Sequence, residues 1–252
     1  MGLLAPRRLW VGRRPRPVLL STLNAHSRPR AIGVDGATGG WVSATISADS
    51  HLEITFVDAF AEIVSSASVD DVIIVDMPIG LSSDGYRPVD ALVRERLGFR
   101  RSTFFPTPLR AVLDFESWDE ANAHSKEVSG KGLSKQAWNL VPKIAEVDNC
   151  WTSALRGRLR EGHPETSFAE MSGAPLSTKK ADVDGRAERT ALPHVALDAD
   201  ITRAIAECPK RWSTDAVDAL ALAWTGLRVH AGHAIHLGGE PDECGRPMEL
   251  CI

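Results

Sequence analysis

The chain has 252 residues, 43% of them hydrophobic and 25% charged, with a formal net charge of −4. That is enough for one large domain or two small ones with a substantial core, and no apolar run approaches the roughly 18 residues of a membrane span. Residues 1–30 hold seven arginines and no acid or lysine, so removing those seven charges from the net −4 leaves −11 for residues 31–252. A body that acidic excludes whole-molecule steering onto nucleic acid and leaves such contact to local basic patches.

The arginine-rich stretch, residues 1–30, reads as a basic disordered tail, and a single domain is expected over residues 31–252. Residues 31–37, 40–47 and 51–57 are three short β-rich runs separated by the turn signals "GG" and "ADS". A short helix over 59–66 and a strand ending at Asp76 follow, an order that suggests a crossover into a parallel position. A helical insertion is expected at about 85–160. Pro88 opens one helix that Gly98 ends. "SWDE" at 117–120 is a capping box for the next. Ser134 caps a third, which Pro142 should kink or divide. "REGHPETSF" reads as a short strand ending near Glu165. Two weaker helices are expected around 182–192 and 198–207, and a strong one over "STDAVDALALAWTGLRVH".

The last helix carries the clearest chemical signal. Asp215 and Asp218 are three residues apart and share a face, yet the helix around them is apolar nearly all round and therefore buried. Asp215 suits the helix dipole. Asp218, lying deeper, needs a partner, because a buried carboxylate is costly unless paired, hydrogen-bonded or metal-bound. Asp35 on the first strand and Asp76 at the end of the fourth pose the same problem. Were those two strands parallel neighbours, both acids would stand at one sheet end, with the last helix bringing Asp215 and Asp218 alongside. Four clustered carboxylates repel one another unless cations neutralise them. Hard oxygen ligands select Mg²⁺ or Mn²⁺, and two such ions would support in-line phosphoryl displacement.

Strand order and acid placement together look like an α/β fold of the RNase H type. This is a mixed sheet of three antiparallel strands, a crossover helix and a parallel strand, with helical insertions. The DxxD at Asp215 and Asp218 is similar to the RuvC-like branch. More closely, "GVDGATGGW", "VDMPIGL", "RRSTFFPTPLRAVL", "GKGLSKQAWNLVPKIAEVD", "EGHPETSFAEM" and "TDAVDALALAWT" resemble a bacterial and archaeal family of unknown function described as predicted nucleases with an RNase H fold. The resemblance spans about residues 31–250. It implies a metal-dependent nuclease with Asp35, Asp76, Asp215 and Asp218 as ligands. It departs from the RuvC pattern at Asp76, where a glutamate would be usual.

Further candidates surround this set. "GHPE" supplies His163, as base or ligand, and Glu165 as a fifth acid; a strand end with a capping glutamate explains the pair equally well. Arg100 and Arg101 beside Phe104 and Phe105, and Lys131 and Lys135 before a helix N-terminus, suit contacts to phosphate and base. A solvated face would look the same. Lys143 and Glu146 are spaced to pair. His230, His233 and His236 fit one helical face poorly as a zinc site. The sequence therefore points to a two-metal hydrolase acting on nucleic acid or a smaller phosphoester. A non-catalytic nucleotide- or nucleic-acid-binding module is the alternative, as is an actin-like ATP-binding protein, although no second lobe is visible. Four cysteines without CxxC spacing fit the cytoplasm, and no membrane partner is expected.

Overall fold

The computed structural model describes residues 29–47, 49, 51–197 and 201–252. The arginine-rich stretch up to residue 28 lies outside them. Strands β1 (Ala31–Ala37), β2 (Gly40–Ile46) and β3 (Leu52–Val57) form the antiparallel meander. Gly39 turns the first hairpin at φ 84°, a left-handed conformation that glycine adopts without a Cβ penalty. Helix α1 (Phe60–Ser66) crosses over to β4 (Val72–Val75), which pairs with β1 in parallel. Arg30 belongs to this fold rather than to a tail. Its guanidinium and backbone N–H bond the buried carboxylate of Asp71 at 2.6–3.0 Å.

Three helices, α2 (Pro88–Leu97), α3 (Trp118–Ser129) and α4 (Lys135–Cys150), separate β4 from β5 (Leu159–Gly162). Ser117 and Ser134 cap α3 and α4 through their hydroxyls, and α4 contains Pro142 without being divided. β5 ends at Gly162 rather than near Glu165, because Pro164 opens helix α5 (Pro164–Ser172) and its fixed φ suits a first helical turn. Helices α6 (Val183–Leu197), α7 (Ile201–Glu207) and α8 (Ser213–His230) follow. Two strands absent from the sequence reading close the sheet, β6 (His236–Pro241) and β7 (Pro247–Cys251). The result is a seven-stranded mixed sheet in the order β3-β2-β1-β4-β5-β7-β6. Among the described residues no helix is long and apolar enough to cross a membrane.

Alternation along β1 and β4 splits the core in two. Ile32, Val34, Ile73 and Val75 pack with Phe60 and Ile63 of α1 and Ile144 and Val147 of α4. The other face packs on α8, whose residues Ala216–Arg228 are all buried. The helix lies against β1 because Gly33 has no side chain. A Cβ there would stand 2.0 Å from the Ala219 carbonyl oxygen and 2.2 Å from the Ala223 nitrogen. Gly33→Ala should therefore push α8 off the sheet and cost roughly 2 kcal/mol, read as a lower urea midpoint. An unchanged midpoint would mean that the helix shifts freely.

Candidate active site

The fold gathers the aspartates from three directions. Val34 pairs with Val75 in the parallel register, and the Asp76 N–H donates to the Val34 carbonyl at 3.0 Å. Asp35 and Asp76 therefore leave the ends of neighbouring strands side by side. Asp218 precedes Ala219, whose carbonyl lies over Gly33, so the contact that seats α8 also carries Asp218 to the end of β1. Asp215 sits one turn earlier. Asp35 and Asp218 are buried, and Asp76 and Asp215 are half-buried.

Lys180, in the segment between α5 and α6, was not legible in the sequence. Its ammonium bonds Asp218 Oδ2 and acts electrostatically on all four aspartates, holding each toward its ionised form. One cation does not suffice. Burial, and then the fields of Asp218, Asp76 and Asp215, raise the Asp35 carboxyl well above the usual range. Burial, aided by Glu165, pushes Asp76 up to about 7. Asp218 rises to about 6 through burial and the fields of Asp76 and Glu165, despite its bond to Lys180. Asp215 is raised by burial too. Lys180 itself resists burial and is raised, chiefly by Asp218 and then by Asp35 and Asp76. The site is short of positive charge.

Glu165 and His163 stand beside this cluster in different states. Glu165 is gripped by buried Arg189 through two bonds of 2.7 and 2.9 Å, with Arg100 at 3.6 Å. Against the opposing effect of burial, Arg189 holds its carboxyl below the usual range. Glu165 thus remains anionic and committed to arginine, and it adds to the field on Asp76 and Asp218. His163 is buried at the N-terminus of α5. Burial lowers its pKa, and its Nε2 lies 3.4 Å from the Thr103 carbonyl oxygen.

The basic stretches divide. Arg100 is drawn in by Glu165, whereas Arg101 is exposed. Lys131 and Lys135 cover the Tyr86 and Trp118 rings, at 4.4 and 3.6 Å from the centroids. Lys143 does not pair with Glu146. Its ammonium donates to the Gly40 carbonyl at 2.5 Å and lies 4.3 Å from the centroid of the Trp41 ring. Glu146 instead accepts from Trp41 Nε1 and the Phe60 N–H, at 2.9 and 3.1 Å. Burial lowers the Lys143 pKa against the opposing fields of Glu146, Asp35 and Asp215. Lys143 is thus a second cation facing the aspartates.

The three C-terminal histidines do not converge. His230 Nε2 faces the Arg30 carbonyl oxygen, whereas His236 groups with Glu249 and Cys251. Among the described residues this is the one trio of potential ligands with all ligand atoms within 4.8 Å; the aspartates are spaced more widely around Lys180. A guanidinium already serves the trio. Arg160 Nη1 lies 2.5 Å from Glu249 Oε1 and 3.3 Å from His236 Nδ1, and burial pushes the Cys251 thiol up to about 12.

A cavity of about 310 Å³ opens from Asp35 and Asp76 between residues 103–108 and α4. A family model for proteins of unknown function, DUF429, matches residues 33–243 of this chain. The chain belongs to that family. The matched span contains Asp35, Asp76, His163, Glu165, Lys180, Asp215 and Asp218. No curated protein and no solved structure matches the chain.

Proposed function

We propose that this member of the DUF429 family is a divalent-metal-dependent phosphodiesterase acting on nucleic acid in the cytoplasm, built on an RNase H-like sheet. The observation that carries this reading is the set of four aspartates at one sheet end that share the Lys180 ammonium, with Lys143 as a second cation nearby. The meander, crossover and parallel strand support the fold assignment, and β6 and β7 extend the sheet beyond that pattern. Four free cysteines fit a reducing compartment.

The donor set fits Mg²⁺ or Mn²⁺. It consists of carboxylate oxygens whose pKa values burial raises, joined at Asp35, Asp76 and Asp218 by the fields of neighbouring acids, and a bound cation would relieve both effects. Asp35, Asp76, Asp215 and Asp218 would hold the ions, which when bound supply Lewis acidity and an acidified water. In the hydrolysis, a water oxygen forms a bond to phosphorus as the bond to the leaving ester oxygen breaks. The water's proton passes to solvent, and Asp76, raised to about 7 by burial when no cation is bound, would serve as a ligand in its ionised form. The leaving oxygen takes its proton from solvent. Lys180 places positive charge beside Asp218, and Arg189 and Arg100 hold Glu165 as an anion committed to arginine.

The ion pair between Lys180 and Asp218 favours one second reading, a non-catalytic nucleotide- or nucleic-acid-binding module with an internal counter-ion. Thermal unfolding with Mn²⁺ or with chelator separates the two, alongside hydrolysis of a simple phosphodiester. Wild type should melt several degrees higher with Mn²⁺ and turn over the ester, and Asp35→Asn should lose both responses. Equal melting of wild type with and without Mn²⁺ would leave the binding module standing.

A further inference from the structure

From the cavity beside Asp35 and Asp76 we infer the substrate class: an unpaired nucleotide whose base enters the slot while its phosphodiester meets the carboxylates. The inference rests on the phosphodiesterase reading above and narrows it. At about 310 Å³ the cavity lies at the lower limit of small-molecule sites, about 300–1,000 Å³, a scale suited to one ring system rather than a stacked pair. Its faces are apolar, with Phe105, Pro106 and Pro108 on one side and Leu140 and Ile144 of α4 on the other. A flat aromatic ligand gains by stacking between such walls.

The edge of the slot is polar. Gln136 and Asn139, three residues apart on α4, line it with amides that both donate and accept. His163 also lines it and is only 8% exposed, and its Nδ1 is buried without a hydrogen-bond partner. Burial keeps this imidazole neutral. If Nε2–H donates to the Thr103 carbonyl, Nδ1 is left as a bare acceptor. An unmet buried acceptor is costly, and a ligand N–H removes the cost. Apolar faces, a donor-seeking nitrogen and adjacent carboxylates together describe a nucleobase joined to a phosphoester. Bases in a duplex are already stacked and paired, so they enter only after extrusion. Single strands, ends and flipped nucleotides are therefore the fitting substrates.

The test measures binding of the full chain, with Mn²⁺, to three fluorescein-labelled oligonucleotides of equal length: a single strand, its duplex, and a strand of abasic residues. The normal single strand should bind at least about tenfold tighter than either of the others. Phe105→Ala, and separately Gln136→Ala with Asn139→Ala, should reduce its affinity to the abasic level while leaving the Mn²⁺ melting shift intact. Equal affinity for normal and abasic strands, or a preference for duplex, overturns the slot. If wild type shows no Mn²⁺ shift yet discriminates bases from abasic sites, the slot stands and the metal reading fails. If it shows the shift without discrimination, the slot fails and the metal reading stands.

Discussion

Arg87→Met should destabilise the protein by about 3–5 kcal/mol, the loss expected when one partner of a buried ion network is removed. Arg87 is 1% exposed. Its guanidinium bonds both oxygens of Glu161 at 2.7 and 2.8 Å, Asp90 at 2.9 Å, and the carbonyls of Ile79 and Gly80 at 3.2 Å. The two carboxylates hold it firmly in the charged form against the cost of burial. Methionine fills much of the volume but leaves Glu161 and Asp90 as buried charges without their cation. The same network ties the loop after Asp76 to β5, and Asp90 also receives the Thr107 N–H, anchoring the far wall of the cavity. Urea denaturation of Arg87→Met and of the double variant with Glu161→Gln would measure this. The double variant should recover part of the loss, because the stranded charge is gone. A loss below about 1 kcal/mol in the single variant would show that Arg87 is dispensable.

What the sequence disclosed followed from local rules, and what it concealed depended on distant partners. Alternating and continuous β-branched runs made β1 to β4 legible, and serines before helical patterns located α3 and α4. Asp218 stood out because a charge among alanines and leucines has no local explanation. Its partner did not stand out. Lys180 lies in "STKKADVDG", a polar segment whose composition resembles any solvated loop, and only the packing of α6 beside α8 turns that lysine inward. Glu165 failed as a free acid for the same reason: Arg189 is 24 residues away on α6, and no spacing rule links the two. β6, "HLGGEP", escaped notice because it is an exposed edge strand with two glycines at positive φ and an irregular register. Alternation carries no signal there.

Asp218→Asn should reverse its effect on stability when metal is added. The folded protein holds the Asp218 carboxyl near pKa 6, above the ordinary value of 3.8, so the fold binds that proton more tightly than the unfolded chain does. Ionising Asp218 therefore costs stability, a cost that grows as pH rises from about 4 to about 6 and is complete above that. Asparagine cannot ionise and escapes the cost, while losing the charged hydrogen bond from Lys180. Because the carboxyl is raised despite that bond, burial and the neighbouring acids outweigh it. In chelator at pH 8 the variant should match wild type or exceed it by up to about 2 kcal/mol, and the gap should close toward pH 4. With Mn²⁺ the order should invert: wild type gains about 2.7 kcal/mol at a hundredfold excess over Kd, and the variant, one ligand short, gains less. Denaturation curves at both pH values, with chelator and with Mn²⁺, decide the matter. A variant weakened equally under all four conditions would make Asp218 a structural partner of Lys180 and remove it from any metal site.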